Sequence, residues 1–161
     1  MIHLKATVCA IFILCSSLSV SSYANTASNA VNGSDEVIEL FFSAAKVGNT
    51  EVLQEFLKHG FPIDVQDRSG YSALMMASYY GQKEAVNVLI QQGANRCLRD
   101  KRGHTALMAA IVKAEWSIAK QLRQVDCDVN AAKTGQLSAE QFAIQFGQQQ
   151  RLKQIQAELS N

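Results

Sequence analysis

The chain has 161 residues, 15 Lys and Arg against 14 Asp and Glu, and a formal net charge of +1. That length allows one domain with a core. Near-neutrality argues against general binding to nucleic acid or to an anionic membrane surface.

The N-terminus reads as a secretory signal. Lys5 precedes an apolar run from Ala6 to Leu14, and small residues then lead to Ser22-Tyr23-Ala24. A positive region, a short apolar region and a small-residue site in that order predict cleavage after Ala24, with residues 1–24 as the signal peptide. The run is too short to span a bilayer comfortably. Neither Cys9 nor Cys15 follows the small residue that a lipoprotein cleavage site needs. Without Lys5 the mature chain is formally neutral, and no membrane span is expected after cleavage. Residues 25–34 are small and polar and are expected to form a disordered leader. Asp35 is expected to cap the first helix.

Beyond Asp35 the chain divides into about four similar units, at 35–66, 67–99, 100–132 and 133–161. The clearest evidence is a phrase written twice, 33 residues apart: Asp67-Arg68-Ser69-Gly70-Tyr71-Ser72-Ala73-Leu74-Met75-Met76-Ala77, then Asp100-Lys101-Arg102-Gly103-His104-Thr105-Ala106-Leu107-Met108-Ala109-Ala110. A fixed period of this size signals stacked repeats. Gly70 and Gly103 suit tight turns because glycine tolerates positive φ. Ser72 and Thr105 are placed to cap a helix. Leu74 with Ala77, and Leu107 with Ala110, supply an apolar face at helical spacing. A second helix is predicted from about Glu84 to Gln91, followed by a turn at Gly93-Ala94-Asn95.

In the first unit, Phe41, Ala44, Ala45 and Gly48 stand 33 residues before Leu74, Ala77, Ser78 and Gly81. Val52, Leu53, Phe56 and Leu57 are expected to form the buried face of its second helix, and residues 60–64 its loop. In the third unit Ala114 replaces the glycine between helices, and Asp126 replaces the later one, where a left-handed residue is expected. The fourth keeps Ala139, Ala143 and Gly147 in register and is otherwise rich in Gln, as a capping repeat is.

These motifs resemble the ankyrin repeat, whose signature Gly-x-Thr-Pro-Leu-His-x-Ala-Ala is matched by Gly103, Thr105, Leu107 and Ala110, and its Asp-Val-Asn by Asp128-Val129-Asn130. The resemblance implies an all-α solenoid of helix-turn-helix repeats with finger loops. Ala73 and Ala106 replace the usual Pro, and Met75 and Met108 the usual His. That His bridges finger loops in the family, so looser fingers are expected here.

No Gly-x-Ser-x-Gly, His-Glu-x-x-His or phosphate-cradling glycine motif is present. The mature chain has two histidines, His59 at a helix C-terminus and His104 in a finger. The sequence therefore points to a binding module, not an enzyme, and implies no cofactor and no metal. Cys97 and Cys127 are the only mature cysteines. Export favours a disulfide. Their non-equivalent places in adjacent units, with packed helices about 10 Å apart, favour two separate thiols, since a bridge needs Cα atoms within about 7 Å.

By the family's pattern the concave wall carries partner recognition. The positions flanking the finger glycine and preceding the inter-helix glycine are Arg68, Tyr71, Tyr79 and Tyr80 in unit two, and Lys101, Arg102, His104 and Lys113 in unit three. Lys46, Val47, Gln145 and Phe146 extend the wall. Tyr and Arg dominate binding hot spots. The run from Arg96 to His104 holds Arg96, Arg99, Lys101 and Arg102 against Asp100. A protein partner with an acidic face is therefore expected, bound by a chain that is monomeric when free. Small exported bacterial ankyrin proteins suggest two roles: an immunity protein that blocks a secreted effector, or alternatively a periplasmic accessory to catalase in peroxide defence; haem handling is the contrasting ligand-carrier reading. A periplasmic location follows from the signal and that resemblance.

Overall fold

The computed structural model describes residues 33–160. The signal peptide with its Ala24 cleavage site and residues 25–32 of the predicted leader lie outside the described residues. The described residues form nine helical segments: α1 (Gly33–Val47), α2 (Thr50–Lys58), α3 (Ala73–Tyr79), α4 (Lys83–Gln91), α5 (Ala106–Val112), α6 (Trp116–Leu122), α7 (Ala131–Thr134), α8 (Ala139–Gln145) and α9 (Gln149–Ser160). Among the described residues, the strand-type pairing is one antiparallel bridge between Gln66 and Ser72, at the root of one finger.

The repeated phrase builds the same turn twice. The Gly70 N–H donates to the Asp67 carbonyl and the Asp67 N–H to that of Tyr71, each at 2.9 Å; Gly103, Asp100 and His104 repeat both bonds at the same distance. The Asp67 carboxylate accepts the N–H groups of Ser69 and Tyr71, and that of Asp100 accepts those of Arg102 and His104. Gly70 has φ +85° and lies against the next finger: a Cβ there would come within 2.8 Å of the Lys101 nitrogen. Ser72 and Thr105 then cap α3 and α5 by accepting the N–H of Met75 and Met108. In the last repeat Ser138 caps α8 within a reciprocal capping box with Gln141.

Two rows of helices result. α3, α5 and α8 pack side by side in one row, and α2, α4, α6 and α9 in the other. Between the rows lies one continuous core. Leu53, Leu74, Leu89, Met108, Ile118, Leu122, Leu152 and Ile155 are almost wholly buried in it, with the alanines allowing close approach. Phe41 joins Phe56 and Phe61 in an aromatic cluster at the head of the stack. The polar last helix is tied down by Lys120 to Glu158 at 2.6 Å; that hydrogen bond and the ammonium charge hold the Glu158 carboxyl below its ordinary pKa. Every buried side-chain polar atom among the described residues has a partner.

Four expectations need correction. α1 starts at Gly33, so Asp35 sits in its first turn, where its charge suits the helix dipole, and its carboxylate meets Arg68. Val52 is exposed on α2, whose inward face is Leu53, Phe56 and Leu57. Asp126 does not take the left-handed turn, since Ala114 is the one non-glycine with positive φ among the described residues. α6 stops early at Leu122, and the Asp126 carboxylate instead organises the loop by accepting the Asp128 N–H. Nor do the fingers lack ties: the Lys101 N–H donates to the Ser69 carbonyl, and the side chains of Gln66 and Arg99 bridge successive loops.

Candidate functional site

Along the first-helix row, the two residues before each inter-helix turn form a register: Lys46-Val47, Tyr79-Tyr80, Val112-Lys113 and Gln145-Phe146. Stacking the repeats sets these pairs side by side. The Tyr79 and Tyr80 rings meet edge to face with centroids 5.2 Å apart. Lys46 from the preceding repeat places Nζ 5.0 Å from the Tyr80 ring centre, and Lys113 from the following repeat lies 4.9 Å from that of Tyr79. A cation, two tyrosines and a cation thus cross three repeats. Both tyrosines remain well exposed, at 42% and 44%.

This ladder borders a cleft of about 480 Å³. Met75 and Met108, both buried, form its floor. Tyr71, Met76, Tyr79 and Tyr80 make one wall, and Phe142 and Phe146 the other. The Phe142 ring lies tilted against that of Phe146, with centroids 4.7 Å apart, and meets the His104 ring edge-on at 5.2 Å. Arg102 lines the finger side. The lone carboxylate in the lining is Asp100; its side chain is 1% exposed, accepts two backbone N–H groups, and lies 3.2 Å from His104 Nδ1. Thioether and aromatic surfaces in one concavity make an adaptable apolar site.

Of the residues singled out in the sequence, Tyr71, Tyr79, Tyr80, Arg102 and His104 come together here, and Lys113 stands on the rim. Lys101 and Arg68 are exposed finger residues outside the lining, and Arg68 pairs with Asp35 at 3.1 Å. Arg99 is not a surface residue. Its side chain is 13% exposed, and its guanidinium donates to the carbonyls of Gly103 and Leu137, at 2.6 and 3.2 Å, and faces Asp128 at 3.4 Å. Arg96 is turned away as well, toward the Gln121 carbonyl at the end of α6. The basic run therefore offers outward charge from Lys101 and Arg102 alone. Met75, Met76, Met108 and Phe142 were missed as site residues. Their signal was a large apolar side chain at positions otherwise read as core or as the repeat's missing His.

Cys97 and Cys127 are joined, with sulfurs 2.01 Å and Cα atoms 5.1 Å apart. The argument from helix spacing fails because these cysteines lie in loops, and loop backbones approach more closely than helix axes. The early end of α6 brings Cys127 forward, 30 residues behind Cys97, where the period would place Asn130.

The repeated turn, capped helix pair and finger define a helical repeat protein built for binding. The chain belongs to the ankyrin-repeat family: the family's model, described as ankyrin repeats (3 copies), matches residues 40–133. It is similar to the protein HOS4 of Saccharomyces cerevisiae, 38% identical over 80 residues, which cover 49% of this chain and 7% of that protein. It is also similar to the mouse ankyrin repeat and SAM domain-containing protein 6, 36% identical over 105 residues (63% of this chain, 12% of the relative). The bovine ankyrin repeat and SOCS box protein 3 is 34% identical over 91 residues (55% and 17%). The chain spans less than a fifth of each of these relatives. Ankyrin repeats mark a protein–protein interaction module. Among the described residues, no helix is long and apolar enough to cross a membrane.

Proposed function

We propose that this chain is an exported, periplasmic module that holds a protein partner in its concave cleft and acts as an immunity protein, occluding a secreted effector. The observation that carries the binding reading is the Lys46–Tyr80–Tyr79–Lys113 ladder beside a methionine-floored cleft. Tyr and Arg are enriched in binding hot spots, and this cleft offers exposed tyrosines beside Arg102. The mechanism is recognition by a preformed surface. The helices and capped turns hold the cleft in shape, so association loses little conformational entropy. The free chain is monomeric in this reading, and its partner presents an acidic face. Export rests on the signal-like N-terminus, and the immunity role on resemblance to small exported ankyrin proteins.

The test combines export and capture. A photo-crosslinking amino acid at position 80 of the exported chain should capture a protein that the same group at Ser117, exposed on α6, does not. The captured protein, expressed alone in the exported compartment, should arrest growth, and co-expression of this chain should restore it. A harmless captured protein would refute immunity and leave binding standing; equal capture from both positions would refute the cleft. Intact-mass measurement should place the mature start at Asn25, and a retained Met1 would overturn the signal.

A further inference from the structure

We infer that the cleft takes a large apolar side chain of the partner, carried on a segment with acidic residues on both sides of it. This rests on the reading of the cleft as a partner site and adds the chemistry of the occupant.

The interior asks for apolar matter. A void of about 480 Å³ exceeds what a single small side chain fills, and its floor offers no uncommitted polar group. Met75 and Met108 are thioethers, and the Asp100 carboxylate is already engaged by the N–H groups of Arg102 and His104. A polar group pushed against this floor would lose water without gaining a partner, which disfavours it. An aromatic or long aliphatic side chain would meet sulfur and ring faces, which favour such contacts.

The rim asks for carboxylates. Arg102 lines the cleft, Lys46 and Lys113 flank its tyrosine wall, and among the described residues none of the three makes an ion pair. Glu115 lies with its carboxylate against Gly81 and outside the lining. Positive charge at the mouth of an apolar cleft attracts acidic groups and repels basic ones, which sets specificity as much as affinity. The two ammonium groups are also spaced. Between them lie three steps, from Lys46 to Tyr80, to Tyr79, to Lys113, each about 5 Å. An extended segment advances about 3.3 Å per residue with side chains alternating in face, so acidic residues about four positions apart reach toward both ends while the residue midway between them, on the same face, enters the cleft. The chemistry favours a peptide over a small carboxylated amphiphile, because one carboxylate satisfies one lysine and leaves the other.

The experiment selects random displayed peptides on the full chain, then measures a synthetic peptide from the enriched set by fluorescence anisotropy at low and high ionic strength. Enrichment of a large apolar residue with Asp or Glu on both sides is expected. Lys46→Glu and Lys113→Glu should each weaken that peptide about tenfold at low salt, with a smaller loss at high salt. Phe146→Ala, at an exposed position that the fold does not need, should weaken it at both. Ser117→Ala should change nothing. Enriched peptides without carboxylates, or affinity indifferent to both lysine reversals, would overturn the inference. So would sodium decanoate displacing a naphthalene-sulfonate dye from the cleft in a Phe146-dependent way while no peptide is enriched. If peptides bind elsewhere but position 80 still captures a protein, this inference fails and the cleft reading survives. If position 80 and Ser117 capture alike, the cleft reading itself has failed.

Discussion

Gln66 donates through Nε2 to the backbone carbonyl of Arg99 at 3.0 Å, and Arg99, 33 residues on, occupies the same place in the following repeat. Each side chain bonds the carbonyl of its own finger glycine, Gly70 or Gly103, and then reaches the next loop, at Arg99 or at Leu137. The ankyrin finger tie normally made by His is thus made from a different register position. Arg99→Ala removes that tie and leaves the Asp128 carboxylate without its cation. Loss of about 3 kcal/mol is expected, as for other largely buried pairs broken on one side. Arg99→Lys should recover little, since one ammonium cannot replace a fork that reaches several carbonyls. Urea denaturation of both variants measures this; an unchanged midpoint for Arg99→Ala would return Arg99 to the surface.

The Cys97–Cys127 bond closes a loop with a sequence separation of 30. Cross-links over loops of that size stabilise by about 3 kcal/mol, chiefly through the unfolded chain. Reduction, or Cys97→Ser with Cys127→Ser, should lower the thermal midpoint while leaving the helical spectrum at low temperature intact. Equal melting of the reduced and oxidised protein would show that the bond constrains nothing the fold does not already hold.

Ala114 has φ +57° at the turn where the other repeats place Gly48, Gly81 and Gly147. A left-handed alanine costs about 1–2 kcal/mol, partly offset because glycine frees the unfolded chain. Ala114→Gly should therefore raise stability by up to about 1 kcal/mol. The mirror change, Gly81→Ala, should destabilise, since its Cβ would meet Glu115 Oε1 at 2.7 Å as well as taking on the strained backbone. A destabilising Ala114→Gly would contradict the turn geometry.

Leu74 and Leu107 are 1% and 6% exposed at equivalent places in α3 and α5. Truncating either to Ala should cost about 2–5 kcal/mol, a large share of a small domain's stability. Circular dichroism should be mainly helical with little strand. A strand-dominated spectrum would contradict the helical repeats.

Arg102→Glu and Tyr79→Ala address the cleft by different physics. The charge reversal should slow association, with an effect that shrinks as salt rises, because exposed charges steer encounter and are screened. The tyrosine truncation should speed dissociation and be nearly indifferent to salt, since it removes apolar contact. Trp116→Ala, at the start of α6 and packed on the core, should lower stability but leave affinity unchanged. Kinetics at two ionic strengths against the captured partner decide: loss of binding in Trp116→Ala with both cleft variants normal would move the working surface to the second-helix face.

The repeat architecture was legible in the sequence because it depends on local chemistry. Glycines that permit a left-handed turn, hydroxyls that cap a helix and apolar residues at helical spacing act within a few residues of themselves. The 33-residue period then shows that the same local solution recurs. Tyr71, Tyr79, Tyr80, Arg102 and His104 were found the same way, by counting from those glycines. What lay beyond reach depended on how far one loop stands from the next. Arg99 looked like surface charge because nothing in its neighbours along the chain shows the carbonyls of Gly103 and Leu137 converging on it. Cys97 and Cys127 looked too distant because the period measures helix spacing, whereas α6 ends early and the finger loops close to contact distance. Met75 and Met108 looked like core, and they are buried, but only the stacking of α3, α5 and α8 opens a cleft above them. Periodicity determined the fold here; side-chain reach between repeats, which no period encodes, decided which charges face outward and what the cleft is made of.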